Sequence, residues 1–221
     1  MHRRSGLRPV PEIPENQPGN LKAVYDQRMQ KVTAYILAGG RSSRMGRDKA
    51  VLEIDGQTLL DRAIELGRAA GDVVVVGDPT KYQASVPVVA DIYPDHGPLG
   101  GIHAALKQTM TECNLVLAVD MPFVAPEFLR RLLSESLRNT ATVTIPRTSR
   151  GFEPLCAVYR REFAIVAERA LEEGRNKIDS LLAQLETRII EGTELIRQGF
   201  SEEMFRNLNT PEDWHNSVGK S

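Results

Sequence analysis

A glycine-rich segment with four basic residues carries the strongest chemical signal in the chain. The segment reads LAGGRSSRMGRDK at residues 37–49, and Arg41, Arg44, Arg47 and Lys49 fall within nine residues. Glycines let the backbone approach a ligand and leave N–H groups free to point at phosphate oxygens. The basic side chains can neutralise the charge of a triphosphate. The segment has neither a P-loop ending nor a G-x-G-x-x-G pattern. The alternative, a solvated basic loop, would not need two glycines after a buried strand.

Two aspartates follow apolar runs that read as strands. Asp120 comes directly after residues 115–119 and precedes Met121-Pro122-Phe123. A carboxylate held at the end of a buried strand suits Mg²⁺, which prefers oxygen ligands, although a turn or helix-capping aspartate is the alternative. Asp91 follows the short run 87–90 and is less specific.

A second glycine-rich segment, GPLGG at residues 97–101, leads directly into a predicted helix. Such a segment can pack against a flat base or bring a helix N-terminus to a phosphate, and a plain helix-starting turn is the alternative. His96 and His103 flank it without the spacing of a metal site. The chain contains no G-x-S-x-G motif, so nothing supports covalent catalysis by a serine.

The elements that must position these residues alternate between strands and helices. Strands are predicted at 32–38, 72–76, 87–90, 115–119, 142–145, 155–159, 188–190 and 204–208. Helices are predicted at 59–70, 102–110, 126–136, 162–173 and 178–185. Strands that are apolar on both faces, alternating with amphipathic helices, indicate one α/β domain with a mostly parallel sheet covered on both faces. Ligands bind such sheets beyond the carboxyl ends of the strands, where the glycines and aspartates fall.

The domain is expected to span residues 31–217. Residues 1–30 contain four prolines in the first 18 positions and no periodic apolar face, which predicts a disordered tail.

Composition excludes several classes of protein. The 221 residues carry a formal net charge of −1, which argues against a general nucleic-acid binder. Two distant cysteines, Cys113 and Cys156, fit a reducing compartment. No apolar run approaches the roughly 20 residues that span a bilayer. We therefore expect a soluble, cytoplasmic protein.

With these residues in view, the chain resembles the MobA-like nucleotidyltransferases over residues 32–214. The matching features are LAGGRSSRMGRDK at 37–49, Asp91, GPLGG at 97–101, VDMPF at 119–123 and NLNTPEDW at 207–214. The resemblance implies a single Rossmann-like domain with a twisted sheet that transfers GMP from GTP to Mo-molybdopterin. The products are the guanine dinucleotide cofactor and pyrophosphate, and Mg²⁺ is required.

The resemblance also implies roles for single residues. Those expected to bind GTP are Leu37, Ala38, Gly39, Lys49, Asp91 and Asp120. Asp120 should hold Mg²⁺, and Arg44 and Lys49 should stabilise charge on the phosphates during catalysis. Asn207 and Asn209 lie in the C-terminal motif, which the resemblance places near the pterin. Gly77 departs from the pattern, because some relatives have an asparagine there that contacts the nucleotide.

Other functions stay open at this point. A cytidylyltransferase or a sugar-phosphate nucleotidyltransferase would have the same fold, and only Gly39 favours GTP, since an alanine at that place goes with CTP enzymes. A non-catalytic nucleotide-binding partner protein is a further alternative. Molybdoenzymes or other proteins of cofactor biosynthesis are possible recipients of the product.

Overall fold

A central sheet of eight strands organises the part of the chain that the computed structural model describes, residues 32–39 and 48–208. The strands are β1 (Val32–Leu37), β2 (Glu53–Ile54), β3 (Gln57–Thr58), β4 (Asp72–Val76), β5 (Val88–Val89), β6 (Cys113–Ala118), β7 (Val143–Thr148), β8 (Gly151–Phe152), β9 (Cys156–Arg160) and β10 (Thr187–Glu191). The helices are α1 (Leu59–Arg68), α2 (Pro98–Gln108), α3 (Pro126–Arg138), α4 (Phe163–Glu172), α5 (Ile178–Leu182) and α6 (Gly192–Arg197). Short 3₁₀ turns occupy Lys49–Val51 and Glu202–Phe205.

The sheet is mostly parallel, as predicted, and two antiparallel strands make it mixed. Its order is β10-β7-β9-β6-β1-β4-β5, with β8 paired to β7, while β2 and β3 form a separate hairpin. Strands β5, β4, β1 and β6 run parallel to one another, and β10 is parallel to β7. Strand β9 is antiparallel to both β6 and β7. The start of β9 therefore lies at the same edge of the sheet as the end of β6.

Helices cover both faces of the sheet. Alternate residues of β1 enter two separate cores: Ala34 and Ile36 pack on the face covered by α1 and α3, whereas Tyr35 and Leu37 pack on the face covered by α2, α4 and α5. All six residues of β1 and all six of β6 are buried, which is why both strands read as continuous apolar runs. The predicted α/β architecture is confirmed.

Helix starts follow from local sequence. Thr58 caps α1, because its hydroxyl accepts a hydrogen bond from the Asp61 amide at 3.0 Å. Helices α2 and α3 begin with Pro98 and Pro126, whose fixed φ suits a first turn and whose missing N–H is not needed there.

Several expectations differ from the structure or lie outside it. The strand predicted at 204–208 is wrong, since Glu202–Phe205 forms a 3₁₀ turn. The short strands β2, β3 and β8 were not predicted. Residues 1–31, 40–47 and 209–221 are outside the described part, and with them the expected tail, Arg44 and Asn209. Among the described residues, no helix has both the length and the apolar character needed to span a membrane.

Candidate active site

A cleft opens at the carboxyl edge of the parallel strands, where the order of connections reverses about β1. After β1 the chain continues to β4 and β5 on one side, then returns to β6 on the other side. Ligands bind at such reversals because two neighbouring loops leave in opposite directions. The cleft has a volume of about 550 Å³. It is lined by Leu37, Ala38, Gly39, Asp48, Lys49, Val76, Gly77, Asp91, Asp95, Gly97, Pro98, Gly101, Ala118, Val119, Asp120 and Leu155.

Lys49 and Asp120 meet inside this cleft although 71 positions separate them in the sequence. The Lys49 Nζ donates a hydrogen bond to Asp120 Oδ2 at 2.7 Å, and the two side chains are 20% and 15% exposed. Lys49 begins the 3₁₀ turn that Asp48 caps, because the Asp48 Oδ1 accepts the Ala50 amide at 3.0 Å. The Lys49 ammonium and the Asp120 carboxylate are thus held together in the cleft that Gly39 also lines.

Backbone hydrogen bonds fix the strand ends that carry the site. The Ala38 amide donates to the Val76 carbonyl at 2.9 Å, and the Val119 amide donates to the Leu37 carbonyl at 3.1 Å. These bonds extend the pairing of β1 past its last residue, to β4 on one side and β6 on the other. The floor of the cleft is therefore part of the rigid sheet.

The Asp120 carboxylate is of the chemical type that binds a hard cation. Among the described residues, no group of three or more histidine, cysteine, aspartate or glutamate side chains is arranged to hold a metal. Asp120 supplies one carboxylate at the cleft wall. Mg²⁺ is commonly bound by one or two carboxylates, with the remaining positions taken by substrate phosphates and water, so a single carboxylate suits that mode.

Asp91 packs against the first turn of α2. Its Oδ1 accepts the Tyr93 amide at 2.9 Å. A Cβ on Gly100 would lie 2.7 Å from the Tyr93 carbonyl oxygen and 3.1 Å from both Asp91 carboxylate oxygens, so the close approach requires a glycine. Burial raises the pKa of Asp91, and the hydrogen bond from Tyr93 opposes that rise. The GPLGG segment thus holds a partly buried carboxylate at the cleft.

The C-terminal motif reaches the same edge of the sheet. The Leu208 amide donates to the Asp120 carbonyl at 3.0 Å, which places Asn207 beside the end of β6. The Asn207 Oδ1 is buried and has no hydrogen-bond partner among the described residues. Asn207 is not one of the residues that line the cleft, but its neighbour Leu208 is bonded to Asp120, which is.

The six described residues expected to bind GTP all line one cleft. Tyr82 contacts three of the residues that line the cleft, and the sequence did not reveal this. Its ring lies against Gly77, where an added Cβ would be 2.7 Å from the Tyr82 Cε2 atom. Its hydroxyl reaches the Ala38 carbonyl and the Asp48 carboxylate, 44 and 34 positions away. No periodicity or motif links residues so far apart.

The α/β sheet, the paired lysine and aspartate, and the cleft at the strand reversal agree with the comparisons, which show that the chain is a nucleotidyltransferase. The chain belongs to the family described as the MobA-like NTP transferase domain, whose model matches residues 34–189. The resemblance seen in the motifs is confirmed.

Named relatives and one solved structure are similar over most of the chain. A probable molybdenum cofactor guanylyltransferase of Methanosarcina mazei is 35% identical over 212 residues, which cover 88% of this chain and 93% of the relative. A protein of the same name from Clostridium perfringens is 30% identical over 197 residues, covering 87% and 98%. The crystal structure of molybdopterin-guanine dinucleotide biosynthesis protein A from Archaeoglobus fulgidus has a TM-score of 0.74 and 29% identity, and the match covers 84% of this chain and 96% of that one.

Proposed function

We propose that this protein transfers GMP from GTP to Mo-molybdopterin, forming the guanine dinucleotide cofactor and pyrophosphate with Mg²⁺. The observation that carries the proposal is the Lys49–Asp120 pair, joined at 2.7 Å in the cleft beside Gly39. The guanylyltransferase names of relatives at 30% and 35% identity support the choice of substrate.

The nucleotide would lie along the end of β1. Leu37, Ala38 and Gly39 would contact the guanosine, because all three line the cleft and Gly39 offers no side chain to exclude a base. Asp91 would touch the nucleotide from the opposite wall. Lys49 would bind its phosphates.

The chemistry is an in-line displacement at the α-phosphorus of GTP. An oxygen of the terminal phosphate of the pterin attacks the α-phosphorus and forms the new P–O bond. The bond from the α-phosphorus to the bridging oxygen breaks, and pyrophosphate leaves with that electron pair. The attacking phosphate is already an anion, so no general base is needed.

Charge on the phosphates must be stabilised as the displacement proceeds. Lys49 and Arg44 would bring positive charge close to the α-phosphate and the leaving group, and so stabilise the negative charge on both. Asp120 would hold Mg²⁺, which supplies further charge neutralisation when it is bound. Because Lys49 and Asp120 are in contact in the cleft, the phosphates bound by Lys49 and the cation held by Asp120 would lie next to each other.

The acceptor would bind near the C-terminal motif, with Asn207 and Asn209 on the pterin side. The hydrogen bond from the Leu208 amide to the Asp120 carbonyl, which brings Asn207 to this edge of the sheet, supports the placement. Molybdoenzymes or other cofactor-biosynthesis proteins would receive the product, and the reaction would take place in the cytoplasm.

Calorimetry with GTP, CTP, ATP and UTP, each with Mg²⁺, tests the proposal. We expect GTP to bind well above the others, and we expect Asp120→Ala to weaken that binding. A preference for CTP would indicate a cytidylyltransferase of the same fold. The absence of binding by all four nucleotides would refute the nucleotidyl-transfer proposal.

A further inference from the structure

Tyr82 joins the two described ends of the glycine-rich segment. The Tyr82 hydroxyl lies 2.8 Å from the Ala38 carbonyl oxygen, near the start of the segment, and 2.7 Å from the Asp48 Oδ2, near its end. The residue is 6% exposed, and its ring covers Gly77 at the end of β4. One side chain from outside the segment therefore contacts both of its sides.

The Tyr82 hydroxyl has one hydrogen with which to make both contacts. The Ala38 carbonyl and the Asp48 carboxylate are both acceptors, so the Tyr82 hydroxyl donates to them in a three-centre arrangement. The bond to the carboxylate is charge-assisted and is the stronger of the two. The Asp48 Oδ2 also accepts from Lys81 at 2.6 Å. Burial raises the pKa of Asp48, but the Lys81 and Tyr82 hydrogen bonds outweigh it and leave that pKa lowered, so Asp48 is ionised at neutral pH.

The same carboxylate caps the turn that carries Lys49. The Asp48 Oδ1 caps the 3₁₀ turn through the Ala50 amide, and Lys49 is the first residue of that turn. Tyr82 holds Oδ2, so both oxygens of Asp48 are oriented. The chain of contacts runs from the end of β1, through the Tyr82 hydroxyl and Asp48, to the turn from which Lys49 reaches Asp120.

We propose that Tyr82 is a positioning residue that places Lys49 for the triphosphate, by tying the turn capped by Asp48 to the backbone at the end of β1. The inference rests on the proposed function for the identity of the nucleotide. The Tyr82 hydroxyl would not touch the phosphates itself; it would act on them through Asp48 and Lys49.

Tyr82→Phe tests this role because it removes the hydroxyl and keeps the ring over Gly77. Lys81 and the Ala50 amide still hold Asp48, so we expect about a tenfold loss in GTP affinity, near the lower end for a hydrogen bond to a charged group. Tyr35→Phe is the matched control. Tyr35 is 3% exposed in the middle of β1 and does not line the cleft. Calorimetry with GTP and Mg²⁺, together with thermal unfolding, should show a binding loss for Tyr82→Phe alone at comparable stability.

A double-mutant cycle separates positioning from a merely structural role. If Tyr82 acts through Lys49, then Tyr82→Phe in a Lys49→Ala background should weaken GTP binding by less than about twofold. A further tenfold loss in that background, or a Tyr82→Phe affinity equal to the unchanged protein, would overturn the inference.

The double-mutant cycle also distinguishes a failure of the positioning role from a failure of the proposed function. If the unchanged protein prefers CTP, the proposed function fails, and the cycle is then run with CTP. Coupling between Tyr82 and Lys49 in CTP binding would still support the positioning role, and independence would refute it.

Discussion

Replacing Asp120 with asparagine removes one negative charge from the cleft and keeps the shape of the side chain. The carboxylate is 15% exposed and accepts a hydrogen bond from Lys49 at 2.7 Å. Under the proposed function it also holds the cation that neutralises the phosphates. The neutral amide can still accept a hydrogen bond but lacks the negative charge on which both interactions depend, so the substitution acts on the step at which charge moves to the leaving group.

The loss of rate should greatly exceed the loss of stability. Removing one preformed electrostatic contact to a transition state costs about 10²–10³ in rate, which corresponds to about 2.7–4 kcal/mol. The Lys49–Asp120 ion pair is intermediate in burial. Exposed ion pairs contribute about 0–1 kcal/mol to stability, whereas breaking a fully buried pair costs about 3–5 kcal/mol. We therefore expect the free energy of unfolding to fall by about 1–2 kcal/mol and Tm by about 2–8 °C, given the size of the chain.

The assay is release of pyrophosphate from GTP in the presence of Mo-molybdopterin and Mg²⁺. Glu135→Gln is a matched control, because the Glu135 side chain is 14% exposed and pairs with Arg131 at 2.7 Å and Arg188 at 3.2 Å, away from the cleft. The control should lower Tm to a similar extent and leave the rate unchanged. An Asp120→Asn rate above about a tenth of normal, or an equal loss in Glu135→Gln, would refute the assigned role of the charge.

Three further outcomes are expected. Because burial raises the pKa of Asp91, its ionised form is disfavoured in the folded state, and Asp91→Asn should raise Tm at pH 7. The gain should shrink as pH falls through the raised pKa of the folded state and vanish below about 4, where the folded and unfolded states both bind the proton. A pH-independent Tm difference would contradict this. Gly77→Ala places a Cβ 2.7 Å from the Tyr82 ring and should lower the free energy of unfolding in urea by about 1–3 kcal/mol; an unchanged midpoint would show that the ring moves freely. Burial raises the pKa of the Cys113 and Cys156 thiols, so both should resist a disulfide reagent at pH 7 until urea unfolds the chain, and rapid reaction of the folded protein would contradict their burial.

The residues at the strand ends were predictable because burial and chemistry coincide there. Strands β1 and β6 are buried on both faces, so each reads as an apolar run, and the polar or glycine residue that follows marks the edge of the sheet. Gly39 and Asp120 were placed by this pattern alone. The structure brings both to the same cleft.

Other features depend on contacts that periodicity does not encode. The run at 204–208 is rich in apolar residues, and Met204, Phe205 and Leu208 are buried, yet no strand in the described part of the chain pairs with it and a 3₁₀ turn forms instead. The antiparallel direction of β9 follows from the path of the chain and not from its residue pattern. Tyr82 reads as one aromatic residue in a polar loop, and only the folded chain brings it to Ala38 and Asp48.

The proposed function is tested most directly by identifying the reaction product. The purified protein is incubated with Mo-molybdopterin, Mg²⁺ and either GTP or CTP, and the pterin products are separated and identified by mass spectrometry. The proposed function predicts the guanine dinucleotide with GTP, one pyrophosphate released for each product formed, and little conversion with CTP. A cytosine dinucleotide formed in preference, or no dinucleotide from either nucleotide, would contradict it.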